Sequence, residues 1–383
     1  MLASLLAAIF AVLPQAPANT GSSDRPMTID ASRKDPATQI PAEQLRACTA
    51  AAERGLRWLE QRQTKSGAFT GIVGHKMNDD YVELDRGMSV EAQRTQGHGH
   101  IGVTAICGMA FLAGGHLPAR GIHGAAGQSA IRYLIEHVLD TGFVTDAGTR
   151  MYSHAFATLF LAEVYGMYGG KDVKDALEKA INLIVDCQNA FGGWRYNPFD
   201  RELDLSVTVC QVQALRAARN IGIKVPEGTI DRAIDYVQRS RVTRGRSRGQ
   251  FFYKILGRGA YEKPNEFAIN AAALTALASA GIYDQELTEP ALDFLERAYE
   301  DVSDYYGRHY YFWYGNYYAC QAFFQSGGTR FRRYFDRLSQ DLLRSQQADG
   351  RWINDCGPGD EFATGIACLL LQLPRQYLPI LQR

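Results

Sequence analysis

The sequence predicts an all-α protein in which six helical hairpins close into a ring. Three observations lead to this fold class: a motif that recurs along the chain, a second and more apolar helix after each copy, and the lack of a polar capping unit at either end. An open array of helical repeats needs such capping units to cover its two ends. Closure into a ring removes both ends and covers the inner helices with protein on two sides, which suits their apolar character.

The recurring motif is an amphipathic helix followed by a turn that contains glycine and an aromatic residue. Its best copy runs from Lys179-Ala180 through Gln188 to Gly192-x-Trp194. Five further copies end in Gly67-x-Phe69, Gly142, Gly249-x-Phe251, Gly307 and Gly350-x-Trp352. In the last of these we assign the motif glutamine to Gln347. Six copies predict six hairpins.

A second helix, rich in alanine and other apolar residues, follows each copy of the motif. We predict these inner helices near residues 100–113, 150–165, 204–220, 266–280, 312–326 and 360–372. Together with the six motif helices they make twelve alternating helices.

The pattern Lys/Arg-Gly/Ala, Gln, Gly-x-Trp resembles the QW-type repeat of squalene cyclases and protein prenyltransferases, and most closely that of small, exported, single-domain bacterial members. The resemblance covers about residues 45–375. It implies an (α/α)6 toroid in which the glutamine and the aromatic residue of each turn tie neighbouring helix ends together. It also implies a central cavity that binds an elongated apolar partner, an isoprenoid- or lipid-like small molecule.

Alignment of the six inner helices on a shared small-then-large apolar step places polar residues at two levels of one helix face. Six positions before the step lie Thr104, His154, Thr208, Asn270, Asn316 and Thr364. Ten positions before it lie His100, Arg150, Asp204, Glu266, Phe312 and Asp360. We expect this face to line the cavity. For the outer level, helix N-caps and first-turn acids are an equally good interpretation.

The catalytic residues of the resembling families are largely missing. Squalene-type cyclases use Asp-x-Asp-Asp to protonate an alkene, and the matching segment, Asp204–Val207, reads Asp-Leu-Ser-Val. The prenyltransferase zinc ligands correspond to Tyr314, Asn316 and Thr364, none of which is a usual zinc ligand. We therefore expect no metal and no cofactor, and we doubt standard cyclase chemistry.

Three further segments attract attention. The segment Tyr305–Tyr318 holds nine aromatic residues, among them Tyr314 and Tyr317, which either contact a ligand or pack the ring closed. The loop Arg239–Arg248 carries five arginines, and it either binds an anion or is a solvated insertion. Residues 71–98 form another long insertion before an inner helix, and long loops in compact repeats are often functional.

Three functions stay open at this point. The first is a toroid that binds an isoprenoid or lipid, the second is a non-catalytic interaction scaffold, and the third is a polysaccharide-active hydrolase or lyase. For catalysis the candidates are Asp204, Glu266 and His154, since glycoside chemistry needs carboxylates near the ring mouth. The candidate ligand-binding residues are His100, Thr104, Thr208, Asn270, Tyr314, Asn316, Tyr317, Asp360 and Thr364.

Composition and the N-terminus set the remaining expectations. A net charge of zero argues against a nucleic-acid partner. The apolar run at residues 2–13, followed by Ala-Pro-Ala, predicts a signal peptide over 1–18, a disordered linker over 19–42 and the toroid over 43–383. We therefore expect export to the periplasm or the cell exterior, with no transmembrane segment. The seven cysteines form no Cys-x-x-Cys pair and predict buried free thiols.

Overall fold

The computed structural model describes residues 40–77, 80–83, 99–118, 120–256, 260–261, 266–303, 311–354 and 357–382, which belong to one compact unit. The predicted signal peptide and almost all of the predicted linker lie outside these residues, so export stays a prediction. No described helix combines the length and the apolar character needed to cross a membrane.

Twelve α-helices build the described part of the chain, and they alternate between an outer and an inner layer. The six pairs, outer helix first, are α1 (Ala42–Arg62) and α2 (Ile101–Ala113), α3 (Gly124–Glu136) and α4 (Met151–Tyr168), α5 (Lys171–Asp186) and α6 (Leu205–Asn220), α7 (Glu227–Arg239) and α8 (Phe267–Ser279), α9 (Gln285–Ser303) and α10 (Tyr311–Ser326), and α11 (Gly328–Ser345) and α12 (Asp360–Gln372). The inner helices begin and end close to the predicted positions.

The inner helices form a closed ring. Each packs against the next inner helix along the chain, α12 packs against α2, and α1 packs against α12. Every residue of α2 is buried, because an inner helix has protein on both of its sides. The outer helices are amphipathic instead, with one buried face. The predicted all-α fold, an (α/α)6 toroid of six hairpins, is confirmed.

Two short strand pairs and two 3₁₀ turns complete the fold. Strands β1 (Gly74–Met77) and β2 (Asp80–Glu83) pair antiparallel within the long insertion before α2, and β3 (Ile255–Leu256) and β4 (Ala260–Tyr261) do the same before α8. After α12, two short 3₁₀ turns end in Leu381, and the second of them lies against α4 and α6. The C-terminal residues thus cover the end of the ring at which the inner helices finish.

In three hairpins the motif glutamine, Gln63, Gln188 or Gln346, ties its turn to the outer helix of the following hairpin. Gln188 Nε2 donates to the Gly192 carbonyl at 2.9 Å, within its own turn, and to the Thr229 carbonyl of α7 at 2.8 Å. Arg232 of α7 donates back to Gln188 Oε1 at 3.1 Å. The glutamine therefore has the structural role that the repeat implies.

The same contact closes the ring between the last hairpin and the first. Gln346 Nε2 donates to the Gly350 carbonyl at 2.8 Å and to the Ala51 carbonyl of α1 at 2.9 Å. Our assignment of this role to Gln347 is therefore wrong by one residue. The Gln347 side chain donates to the Ser345 carbonyl instead, at 2.9 Å.

The turn glycine is required by its backbone angle and by its surroundings. Gly192 has φ +98° and Gly350 has φ +102°, a region that L side chains disfavour. A Cβ at Gly192 would lie 2.2 Å from the Arg232 carbonyl oxygen, and one at Gly350 would lie 2.6 Å from that of Arg54. The turn can approach the next outer helix this closely only because a glycine carries no side chain.

The turn tryptophans bind back to their own outer helix. Trp194 Nε1 donates to the Ile184 carbonyl at 2.8 Å, and Trp352 Nε1 donates to the Leu342 carbonyl at 2.9 Å. A Cβ added to Gly55 of α1 would lie 2.9 Å from the Trp352 ring, which explains why the motif has Gly or Ala at this position.

Six of the seven cysteines lie in the described residues, and all six are buried free thiols, as predicted: Cys48, Cys107, Cys187, Cys210, Cys320 and Cys368. Burial raises the pKa of the Cys48 and Cys187 thiols to about 11, so these groups are poor nucleophiles at neutral pH.

The glycine contact gives a first prediction. We expect Gly192→Ala to lower the free energy of unfolding by about 3 kcal/mol, through backbone strain and the clash with the Arg232 carbonyl. Gly222→Ala is a matched control, because Gly222 has φ +84° with no atom within 4 Å of the added Cβ. It carries the strain alone, which predicts a loss of about 1 kcal/mol. Urea unfolding of both variants measures the difference, and equal losses would contradict the role of the close approach.

Candidate functional site

The six polar residues of the inner level hold the turns in place, and we call them the turn anchors. Five of them accept a hydrogen bond from the backbone N–H of the turn in their own hairpin. The pairs are Phe69–Thr104 (2.9 Å), Val144–His154 (3.1 Å), Trp194–Thr208 (3.2 Å), Phe251–Asn270 (2.9 Å) and Trp352–Thr364 (3.0 Å). The sixth, Asn316, accepts from the Tyr334 hydroxyl at 2.6 Å.

These contacts do not fit the expectation that the turn anchors face a ligand. All six side chains are fully buried. Their polar atoms point to turn backbone or, for Asn316, to an outer-helix tyrosine, so they lie between the two layers of the ring. An unpaired N–H at these buried turns would be costly, which explains why five of the six positions are polar, and the sixth, Asn316, satisfies the buried Tyr334 hydroxyl.

His154 shows the same structural role in detail. Its Nδ1 accepts from the Val144 N–H, so Nε2 carries the proton and donates to the Ala180 carbonyl at 3.2 Å. Burial lowers the pKa of His154 to about 4, so the ring is neutral at pH 7. Both ring nitrogens are occupied by backbone groups, an arrangement that leaves no atom for the catalytic role expected of this residue.

The outer level consists partly of helix caps. His100 Nδ1 accepts from the Val103 N–H at 3.2 Å, and Asp204 Oδ1 accepts from the Val207 N–H at 2.9 Å. Each residue is the N-cap of its inner helix. For these two residues the capping interpretation describes the observed contacts better than a ligand-binding role.

The other members of the outer level differ from one another. Asp360 Oδ1 accepts from the Asn354 N–H at 2.9 Å, and its Oδ2 lies 3.2 Å from Arg351 Nε. Glu266 is the N-cap residue of α8 but makes no side-chain cap bond, and it is half-buried. Phe312 is fully buried in the core. The outer level is therefore not a uniform ring of charges.

Tyrosines occupy the axis of the ring near its mouth, by which we mean the end where the six inner helices begin. The rings of Tyr152 on α4 and Tyr314 on α10 meet edge to face at 6.1 Å, although these helices are second and fifth of six. The Tyr152 hydroxyl donates to Ser206 Oγ, and the Tyr314 hydroxyl donates to the Ser206 carbonyl at 3.4 Å. Burial raises the pKa of both tyrosines, so their hydroxyls stay neutral.

Deeper along the axis, α4, α6 and α10 stay in contact through further side chains. The rings of Phe156 and Tyr317 lie 5.5 Å apart, and Tyr317 is buried. Cys210 Sγ lies 3.0 Å from the Tyr318 hydroxyl. Further down, Gln213 Nε2 on α6 donates to Gln321 Oε1 on α10 at 2.8 Å. Side chains therefore fill the axis between α4, α6 and α10, where we expected an open cavity with small-residue walls.

A small cavity of about 10 Å³ lies at the far end of this axis, lined by Gln321, Phe324 and Leu381 among others. This volume holds about one water molecule. It offers no room for an elongated ligand.

The mouth carries a cluster of charged and aromatic groups that we call the mouth cluster: Arg195, Tyr196, Asp204 and Tyr253. Arg195 Nη1 donates to Asp204 Oδ2 at 2.5 Å, and its guanidinium stacks 4.2 Å from the Tyr196 ring centre. The Tyr196 and Tyr253 hydroxyls lie 2.8 Å apart. Asp204 is fully buried, whereas the other three are half-buried.

A nine-residue loop, 195–203, supplies two members of this cluster. The Asp204 N–H donates to the Trp194 carbonyl at 3.0 Å and closes the loop at its base. Phe199, within the loop, is 65% exposed and has φ +62°. A bulky residue with a positive φ is uncommon and is held by its surroundings, a feature found at binding sites.

Our sequence reasoning found Asp204 but missed Arg195, Tyr196, Tyr253 and Phe199. Tyr196 and Tyr253 each follow the aromatic residue of a turn by two positions, at Trp194 and Phe251. We treated these turns as structural devices only. The equivalent spacing was a signal that the residues after the turns come together at the mouth.

Comparison with known proteins identifies the fold but no family. No family model matches the chain, and no curated protein matches it. Among solved structures, an inactive variant of the α-1,6-mannanase of Salegentibacter sp. HEL1_6 in complex with α-1,6-mannotriose aligns with a TM-score of 0.61 and 8% identity, over 86% of this chain and 99% of that chain.

Two other neighbours have different activities. The cellobiose 2-epimerase of Spirochaeta thermophila aligns with a TM-score of 0.61 and 14% identity, over 88% of this chain and 98% of that chain. A type II terpene cyclase from Scytonema, in complex with geranylgeranyl dihydroxybenzoate, aligns with a TM-score of 0.55 and 12% identity, over 89% and 100%. The chain thus shares the (α/α)6 toroid with glycan-active enzymes and with a terpene cyclase, and identities this low show the fold alone.

The turn anchors give a second prediction. Thr208→Val removes the acceptor of the buried Trp194 N–H, and we expect a loss of about 1–3 kcal/mol in the free energy of unfolding. Thr158→Val is the matched control: Thr158 is also fully buried, but its hydroxyl only donates to the His154 carbonyl. Its loss should stay near 1 kcal/mol, because no N–H loses its partner. Chemical denaturation distinguishes the two variants, and a larger loss for Thr158→Val would contradict the anchoring role.

A third prediction concerns pH. The unfolded chain protonates His154 near pH 6.5, whereas the folded chain does so only near pH 4. His154 therefore lowers the free energy of unfolding by about 3 kcal/mol as the pH falls from 6.5 to 4. His154→Asn keeps an acceptor of the kind that Asn270 supplies to Phe251, but it does not titrate. As the pH falls from 6.5 to 4, we expect the free energy of unfolding to decrease more for the wild type than for the variant. A constant difference would contradict the neutral, buried histidine.

Proposed function

We propose that this protein recognises a carbohydrate at the mouth of the toroid. The observation that carries the proposal is the mouth cluster itself: half-buried tyrosines around an Arg195–Asp204 ion pair, placed above a ring axis that side chains occupy. A ligand that binds such a site contacts aromatic faces and fixed polar groups at the surface, and it does not need a deep apolar channel.

The chemistry of the cluster suits sugar rings. A sugar presents an apolar face to an aromatic side chain and hydroxyl groups to polar partners, and binding sites commonly combine aromatic surface with a few fixed polar groups. Tyr196 and Tyr253 supply rings and hydroxyls, and Arg195 supplies donors in a fixed geometry. Phe199 adds an exposed aromatic face on the adjoining loop.

The comparisons support a carbohydrate ligand without establishing it. Two of the neighbours described above are, by name, a mannanase and a cellobiose epimerase, and both match this chain over almost their full lengths. The terpene cyclase matches a similar share of the chain. An isoprenoid ligand would have to separate Tyr152 from Tyr314, which meet across the axis, so the filled axis favours the carbohydrate.

Recognition is better supported than hydrolysis. Glycosidases use two carboxylates as acid and base or nucleophile. The Asp204 carboxylate accepts hydrogen bonds from the Val207 N–H, from Ser206 Oγ at 2.6 Å and from Arg195. These contacts occupy it with capping and with the ion pair. Glu266 and Asp204 remain the candidate pair if a reaction is found.

The test is calorimetric titration of the full chain with α-1,6-mannotriose and with cellobiose, next to geranylgeraniol as the isoprenoid arm. We expect a saccharide to bind, and we expect Phe199→Ala to weaken binding about fivefold, since an aromatic contact of this size contributes about 1 kcal/mol. Product analysis with the same saccharides, for wild type and Glu266→Gln, shows whether a reaction accompanies binding.

Tyr168→Ala is the matched control, because Tyr168 is 52% exposed but lies at the last residue of α4, away from the mouth. It should bind like the wild type. Equal weakening in both variants, or binding of geranylgeraniol but neither saccharide, would overturn the proposal.

A further inference from the structure

A second cluster of ligand-type side chains lies away from the mouth, where α2 ends. It consists of Glu53 on α1 and of His116 and His123, which lie between α2 and α3. One ligand atom from each residue lies within 4.8 Å of the others. Glu53 Oε1 is 3.0 Å from His123 Nε2, and Glu53 Oε2 is 3.8 Å from His116 Nε2. The carboxylate therefore lies between the two imidazoles.

A fourth residue fixes the orientation of His123. Its Nδ1 lies 2.9 Å from Glu60 Oε2, about two turns along α1 from Glu53. A histidine that binds a metal through one nitrogen usually donates its other N–H to a carboxylate or a carbonyl in this way. A proton on Nδ1 would point toward Glu60, and Nε2, the nitrogen that faces Glu53, would then be the one to bind a metal.

The spacing of the three groups suits a small tetrahedral cation. Zinc binds histidine nitrogen and carboxylate oxygen at about 2.0–2.2 Å, which places neighbouring ligand atoms of a tetrahedron about 3.3–3.5 Å apart. The separations of His123 from Glu53 Oε1 and of His116 from Glu53 Oε2, 3.0 and 3.8 Å, lie on either side of this value, and one ligand atom from each of the three residues lies within 4.8 Å of the others.

The loop around His116 is shaped to hold the ring. A Cβ added at Gly114 would lie 2.9 Å from His116 Cδ2, and one at Gly121 would lie 2.7 Å from His116 Nδ1. The His123 side chain is 2% exposed, that of His116 is 13% exposed and that of Glu53 is 29% exposed. The histidines are thus fixed by packing, whereas the side of the cluster next to Glu53 is open to solvent.

We propose that Glu53, His116 and His123 bind a zinc ion, with Glu60 as the positioning residue behind His123 and solvent at the fourth position. The spacing His-x6-His lies in an interhelical loop, outside the inner helices in which we looked for zinc ligands and expected none. The site joins α1 to the connection between α2 and α3, at the end of the ring opposite the mouth. It is therefore independent of the carbohydrate proposal.

The experiment uses the full chain after removal of metals with a chelator, and Zn²⁺ or Co²⁺ as the probe. We expect one Zn²⁺ per chain by calorimetry, a higher melting temperature with Zn²⁺, and a visible Co²⁺ spectrum of the tetrahedral type. His116→Ala and Glu53→Gln should each weaken Zn²⁺ binding by tenfold or more, and Glu60→Gln by about 10–100-fold. His116 and Glu53 are partly exposed, so these variants should fold.

His137→Ala is the matched control. His137 also lies near a carboxylate, with Nε2 3.8 Å from Asp146 Oδ2, but no third ligand accompanies it within the part of the chain that the structure describes. Its Zn²⁺ affinity should equal that of the wild type. Wild-type affinity in His116→Ala and Glu53→Gln would overturn the proposal by placing the metal elsewhere. Absence of Zn²⁺ binding by the wild type would overturn it by leaving the cluster as a set of histidine–carboxylate ion pairs.

Discussion

The ring depends on one steric constraint, the close approach of a turn glycine to the next outer helix, seen at Gly67, Gly142, Gly192, Gly249 and Gly350. At Gly192 and Gly350 the gap to a backbone carbonyl admits no Cβ, and the motif glutamine spans the same junction with hydrogen bonds. Because the junction recurs around the ring, it fixes the spacing of the outer helices and therefore the angle between successive hairpins. The turn anchors then fix each turn on its own inner helix. The loops that lead from these turns to the inner helices are therefore held at the mouth.

The sequence predicts the fold far better than it predicts the site. Period, apolar pattern and small residues recur six times, so errors at one copy are corrected by the others, and the misassigned Gln347 changed nothing in the architecture. The turn anchors show the limit of the same reasoning. Register placed Thr208 and His154 at one level correctly, but it could not say whether that level faces the axis or the turns, because both directions lie on a buried face. The mouth cluster was missed because Arg195 and Tyr253, 58 positions apart, come together only when the third and fourth hairpins pack side by side.

The two ends of the toroid have different chemistry, and the difference follows from the parallel inner helices. All six begin at the mouth, so the N-terminal ends of their dipoles gather there and favour polar or anionic partners. At the other end the chain covers the ring with its own C-terminal residues, and the Ile380 N–H donates to the buried Glu163 carboxylate at 3.2 Å. Burial raises the pKa of Glu163 to about 8, so this carboxyl group is largely protonated at neutral pH. The mouth therefore carries the helix N-termini, and the other end is covered by the chain itself.

The contact that closes the ring joins the first helix of the toroid to be synthesised to the last. Ala51 and Gln346 are 295 positions apart, and α1, whose Leu56 and Leu59 are buried, packs on α12. A ribosome releases α1 first and α12 last, so the first helix must wait for nearly the whole polypeptide before its final neighbour exists. Contacts of such long sequence separation form late and slowly. Throughout synthesis the nascent chain therefore presents the apolar face of α1 without its partner, and transiently exposed apolar surface of this kind is what chaperones bind.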